Sequence, residues 1–347
     1  MNEILRSMFD CFSRGDQIYL PSKFWELHNK INIKQLEITG IENIKQTVAH
    51  NYFTWVPIIL DKQFRLNKQF RYLLRSTPIL SWPSILFGPP AHGSSTQLGW
   101  KLRIQLAIFT RMLWRTVERN DVEGLLNLIS EPRQGNPFEI YLDGKLISQD
   151  LANSVLEYYA IREYFKMPKT EKITFCELGA GYGRNAHVFL NVFPRAKYIV
   201  IDIPPALYVS QEYLSSVFPD KKIFAFRCFD LFEEIEQEFY DADIVFLLPH
   251  QARMLPEKCI DLFINISSLH EMHLQQIQEY FNLIDKLTKG YFYSKQWFVS
   301  ENTVDGIVIN KNDYPVPRNW QELYSRPAKV QVYFFEAMYK ITSNELS

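Results

Sequence analysis

An apolar run that opens into three alternating glycines constrains this chain more than any other stretch. Ile173-Thr-Phe-Cys-Glu177-Leu-Gly179-Ala180-Gly181-Tyr-Gly183-Arg184-Asn185 reads as a strand, a glycine-rich turn and the start of a helix. Alternate glycines remove Cβ atoms where a ligand must approach the backbone, and a helix start offers its N–H groups there. A second apolar strand, Tyr198-Ile-Val-Ile-Asp202, ends in a carboxylate where a ribose diol would be held. The glycines alone could serve only a tight turn, but Glu177 and Asp202 together point to a nucleotide-type cofactor.

The remaining chain fits an enzyme of two parts. With 347 residues it can bury two ordinary cores. Residues 1–165 read mostly as helix, and Gly99 to Val117 carries apolar residues at three-to-four spacing, a long amphipathic helix whose Lys101, Arg103, Arg111 and Arg115 form a solvated face. Residues 81–95 read as a loop, and Ser148 is placed to cap a helix from Leu151 to Phe165. From 166 onward strands alternate with helices, the pattern of a parallel sheet covered on both faces. Strands are expected near 173–178, 198–203, 243–249, 261–267 and 289–298, with helices beginning near Arg184, Pro205 and His270. Of residues 223–229 and 242–250, the second is the more apolar and the better core strand. Residues 330–341 can pair antiparallel at the sheet edge.

Several function classes are disfavoured. A net charge of −1, with 38 basic and 39 acidic residues interspersed, leaves no electrostatic footprint for nucleic acid or an anionic membrane, so a small or neutral partner is expected. No run is long and apolar enough for a membrane span, and the N-terminus lacks the apolar core of a secretory signal. Cys11, Cys176, Cys228 and Cys259 show neither C-x-x-C nor zinc spacing. Free thiols in a reducing cytoplasm are the expectation, Cys176 and Cys259 lying in or beside strand patterns.

Ligands of open α/β sheets sit at the carboxyl ends of the strands. After the fourth expected strand comes Asn265-Ile-Ser267-Ser268-Leu-His270-Glu271-Met272-His273, where polar residues end an apolar run and three titratable groups crowd a helix start. His270 and His273, three apart on one helical face, are candidate bases for removing a hydroxyl proton, with Glu271 close by. Ordinary surface histidines with a helix-stabilising Glu271 are the plain alternative, and a divalent metal on these three groups is another.

The choice of cofactor turns on spacing. A dinucleotide fingerprint wants a small residue three positions after Gly181, and Arg184 stands there. As E-x-G-x-G-x-G, the turn resembles motif I of class I S-adenosylmethionine-dependent methyltransferases. In that family the turn faces the methionine part, the first-strand acid helps fix its amino group, and the second-strand acid binds both ribose hydroxyls. The resemblance implies a doubly wound, mostly parallel Rossmann-like sheet with an antiparallel last strand and an N-terminal helical domain. It carries cofactor roles onto Glu177, Gly179, Ala180, Gly181, Gly183, Asn185 and Asp202, with Asn265 added from the strand end. Gln149, beside Asp150 and Asn153, either contacts the methionine end or caps its helix.

The wider series, Ile147 to Ser154, Glu177 to Asn185, Asp202-Ile-Pro-Pro-Ala-Leu-Tyr208, Phe246 to Gln251 and Asn265 to Met272, is similar to the bacterial sugar O-methyltransferase family. Pro21 to Trp25 and Asn51 to Trp55 fit it as well. This resemblance implies a sugar hydroxyl as acceptor, in polysaccharide or glycosylated-metabolite synthesis. In that family's pattern the Glu-Met pair is firmer and glutamine often stands at the His270 position, which weights Glu271 over His270. Trp25, Trp55, Trp82, Trp100 and Trp114 are then candidates to stack on a sugar, against a plain core role. A non-catalytic binding protein on the same scaffold and a dinucleotide-dependent oxidoreductase are the rival classes.

Overall fold

The computed structural model describes residues 3–48, 67–94 and 98–342. The chain divides into two compact units, one of residues 1–34, 161–328 and 333–347, the other of 35–160 and 329–332. Residues 1–34 and 161–165 cluster with the sheet.

The first unit is built on an eight-stranded sheet: β1 (Thr174–Leu178), β2 (Lys197–Ile201), β3 (Ile223–Phe224), β4 (Ile244–Leu247), β5 (Ile260–Ile266), β6 (Thr288–Trp297), β7 (Gln321–Pro327) and β8 (Phe334–Lys340). Their order across the sheet is β3-β4-β2-β1-β5-β6-β8-β7. The first six run parallel; β8 is antiparallel to β6, and β7 to β8. β4 is buried throughout, and β1 and β2 at every residue but their first. A parallel strand covered on both faces has no solvent side, so its sequence reads as an unbroken apolar run. The more apolar 244–247 segment indeed takes the place beside β2, while 223–224 is an added edge strand. At the other edge the expectation is corrected: β8 is antiparallel, but β7 covers its outer side.

Order reverses at β1, which is flanked by β2 on one side and β5 on the other. Their ends lie level, Leu178 opposite both Ile201 and Asn265. Helices α1 (Arg184–Val192), α2 (Ala206–Val217) and α3 (Leu274–Leu287) follow β1, β2 and β5. The His270 expectation changes here. Ser267 adopts a left-handed φ of 58°, Leu269–Glu271 makes one 3-10 turn, and His273 is the extended N-cap of α3. His270 and His273 therefore do not share an α-helical face.

The thiol expectation is also corrected. Cys11 and Cys228, 217 residues apart, form a disulfide with Cα atoms 5.9 Å apart, whereas Cys176 and Cys259 are free.

In the second unit the long helix runs Trp100–Glu118 and buries Leu106, Phe109, Leu113, Trp114 and Val117. Arg111 is not on a solvated face: it is 1% exposed and donates to the carbonyls of Pro89 and Tyr141 at 2.6 and 2.9 Å. Trp82–Leu86, expected as loop, is a short helix. The helix after Ser148 runs Gln149–Arg162, with Ser148 Oγ accepting from the Leu151 N–H at 3.0 Å. That hydroxyl also donates to Glu131, whose carboxylate pairs with the buried Lys45.

Candidate active site

The glycine turn is shaped by contacts that leave no room for side chains. Gly179 and Gly183 have φ of 72° and 89°. A Cβ on Gly179 would lie 2.4 Å from Ser268 Oγ, and one on Gly183 would lie 2.7 Å from Leu214. Left-handed backbone and lack of space together demand glycine at both positions. Glu177, 2% exposed, does not face solvent: it accepts from Asn185 Nδ2 at 2.8 Å and from the Tyr198 hydroxyl at 2.7 Å, binding the start of α1 to β2. Asn185 is thus a brace of the turn. Ala180 is buried.

Asp202 reaches back across the strand ends to accept the Gly181 N–H at 2.8 Å, and it also accepts the Ile203 N–H at 2.8 Å. Burial pushes its carboxyl up to about 7, against the two N–H bonds and with the charges of Glu177 and Glu271 adding to the rise. This buried acid beside a turn with glycine at alternate positions fits a ribose diol, which would donate to it. The donor set therefore fits a nucleoside cofactor.

Asn265 has a different place from that expected. It is fully buried, its Nδ2 donating to the Leu178 carbonyl at 2.9 Å and to Ser268 Oγ at 2.6 Å, so it clasps the ends of β1 and β5. Gln149 belongs to the second unit, in the first turn of the capped helix and 5% exposed.

Beside the end of β5 lies a cavity of about 400 Å³, lined by Phe24, Trp297, His270, Glu271, Ser300 and Asn302 among others. Glu271 accepts the Trp25 indole N–H at 2.9 Å, and its other oxygen lies 3.6 Å from His270 Nε2. Trp25 is set by its helix start, where Asp305 accepts the N–H groups of Lys23 and Phe24 at 2.9 and 3.0 Å. His270 is 4% exposed, edge-on to Trp297 and within 3.0 Å of Gln296 Oε1 through Nδ1. His273 instead projects outward, 4.0 Å from Asp305. Glu271 and His270 are brought together, and His273 is separated from them. Among the described residues no group of three or more His, Cys, Asp or Glu side chains is placed to hold a metal ion.

Of the tryptophans, Trp114 is core and Trp100 is exposed. Asn51 to Trp55, including Trp55 itself, lies outside the described residues. Trp297, Phe24 and Gln296 escaped the sequence reading. The same strand-end rule that exposed Asn265 points to Ser294-Lys-Gln296, polar residues that follow the aromatic run of β6.

No family model and no curated protein matches the chain. Among solved structures, an S-adenosylmethionine-dependent methyltransferase from Aquifex aeolicus aligns at 12% identity over 65% of this chain and 97% of that one, TM-score 0.33. The magnesium protoporphyrin IX methyltransferase of Synechocystis with bound S-adenosylmethionine aligns at 12% identity, 55% and 77% coverage, TM-score 0.37. The 1,6-didemethyltoxoflavin N1-methyltransferase of Burkholderia thailandensis aligns at 12% identity, 56% and 79% coverage, TM-score 0.37. Among the described residues no helix is long and apolar enough to cross a membrane. By its sheet order, with six parallel strands, reversal at β1 and an antiparallel β8, the chain has a doubly wound, Rossmann-like α/β fold.

Proposed function

We propose that this chain is an S-adenosylmethionine-dependent O-methyltransferase acting on a sugar hydroxyl. The observation that carries the reading is the placement of a carboxylate–imidazole pair, Glu271 and His270, in an aromatic-walled cavity that follows the strand next to the glycine turn. S-adenosylmethionine supplies, when bound, a methyl group on a sulfonium, open to in-line attack by an oxygen. Asp202 holds the ribose diol, and the Gly179 to Gly183 turn lets the methionine part lie against backbone, its shape kept by Glu177, Asn185 and Tyr198. Glu271 and His270 take up the acceptor's hydroxyl proton.

The cavity supports the acceptor class. Its volume lies in the range of small-molecule sites, and Trp297 and Phe24 offer faces to the apolar C–H side of a sugar ring while Ser300 offers a hydrogen bond. The resemblance of the motif series to the sugar O-methyltransferases supports the same class.

The test is an acceptor screen of free and nucleotide-linked sugars with isotopically labelled cofactor, read by mass of the methylated product. A methylated sugar is expected, and Trp297→Leu should raise its KM about tenfold, the size of one lost ring contact, with cofactor affinity unchanged. Labelling of non-sugar acceptors alone, or an unaltered KM in Trp297→Leu, would overturn the assignment of this cavity to a sugar.

A further inference from the structure

The donor and acceptor sense of the hydrogen-bonded chain behind His270 can be read from one end. The Leu178 carbonyl only accepts, so the Asn265 group 2.9 Å from it is the NH2. Asn265 Oδ1 is then the acceptor on the other side, 3.4 Å from the Leu269 N–H and 2.5 Å from Gln296 Nε2. Gln296 is wholly buried on β6, and its NH2 is further held near Ser294 Oγ at 3.3 Å and the Asn265 carbonyl at 3.4 Å. With its NH2 so engaged, Gln296 turns Oε1 toward His270 Nδ1 at 3.0 Å. An amide oxygen there requires that Nδ1 carry hydrogen. A neutral imidazole has a single N–H, so the lone pair falls on Nε2, which faces Glu271 Oε1 at 3.6 Å beside the cavity.

We propose that Gln296 is a positioning residue that holds His270 as its Nδ1–H tautomer and thereby makes Nε2 the proton acceptor of the site. The identity of the proton donor, an acceptor hydroxyl, rests on the methyltransferase reading; the tautomer does not. When Nε2 takes that proton, the imidazolium keeps Nδ1–H on Gln296 Oε1 and gains an Nε2–H directed at Glu271, whose carboxylate offsets the new positive charge. Gln296 needs no contact with cofactor or acceptor for this role. Its anchorage through Asn265 to β1 ties the tautomer to the same strand end that carries the glycine turn.

The experiment is long-range 1H–15N correlation NMR on the full chain labelled at histidine nitrogens, with the His270 signals assigned by their loss in His270→Gln. At a pH where the ring is neutral, a protonated Nδ1 and a bare, pyridine-type Nε2 are expected. Gln296→Leu should move the ring toward the Nε2–H form and lower kcat on the order of 100-fold, the scale of a lost proton acceptor, while KM and cofactor Kd stay near wild type. Gln296→Glu, whose carboxylate can only accept, should retain Nδ1–H; it also serves if the leucine variant does not fold. An Nε2–H ring in the wild type, or an unchanged tautomer in folded Gln296→Leu, would overturn the proposal. Both are read without turnover, so absence of methyl transfer would count against the acceptor reading and leave the tautomer assignment standing.

Discussion

Asp202→Ala is expected to raise the dissociation constant for S-adenosylmethionine about 100-fold. The carboxylate sits 8% exposed at the end of β2, and each hydrogen bond it would accept from a ribose hydroxyl is charge-assisted, with about 1.5–3 kcal/mol for each. Two such bonds come to about 3 kcal/mol or more, and about 1.4 kcal/mol is a factor of ten. The effect should also depend on pH. Burial raises this carboxyl from its ordinary 3.8 to about 7. A raised acid confers stability that is fully present below the unfolded value, so the ligand-free chain should lose stability as pH climbs from about 4 through 7. Hydroxyls that donate to Asp202 favour its ionised form, so cofactor affinity should rise across the same window. Calorimetric titration at several pH values checks both, and Asp202→Asn should flatten the rise. An unaltered dissociation constant in Asp202→Ala would remove the ribose role.

Glu271→Gln should lower kcat roughly 100-fold, within the range of general acid–base contributions, with cofactor affinity close to wild type. The substitution keeps an oxygen for the Trp25 indole N–H and removes only the charge beside His270 Nε2. A purely structural Glu271 would tolerate it. Single-turnover kinetics with saturating acceptor separate chemistry from binding, and an unchanged rate would exclude Glu271 from proton transfer.

The parallel sheet was legible because strands buried on both faces must be apolar at successive positions, as 244–247 and 198–201 are. The glycine turn and Asp202 were legible because backbone approach and an acid at a strand end leave marks on the sequence itself. Other features depend on partners far along the chain. Nothing near Cys11 reveals Cys228, and Arg111 looks like a solvated cation until the carbonyls of Pro89 and Tyr141 are placed around it. His270 was misplaced on an α-helix because the pattern carries no signal for the left-handed turn at Ser267, a conformation a serine rarely adopts. Asn265 was rightly singled out as unusual, but its polarity is used inside the protein, where it orients Gln296 and ties β5 to β1. The Trp25–Glu271 bond joins residues 246 positions apart and could only come from the fold.

The central claim is the cofactor, and parallel calorimetric titration of the purified chain with S-adenosylmethionine, S-adenosylhomocysteine and NAD tests it most directly. Saturable binding of the first two at micromolar concentrations with no NAD signal is the result expected of the Glu177 to Asn185 turn and Asp202. Binding of NAD alone would contradict it and return the glycine turn to the dinucleotide-dependent class.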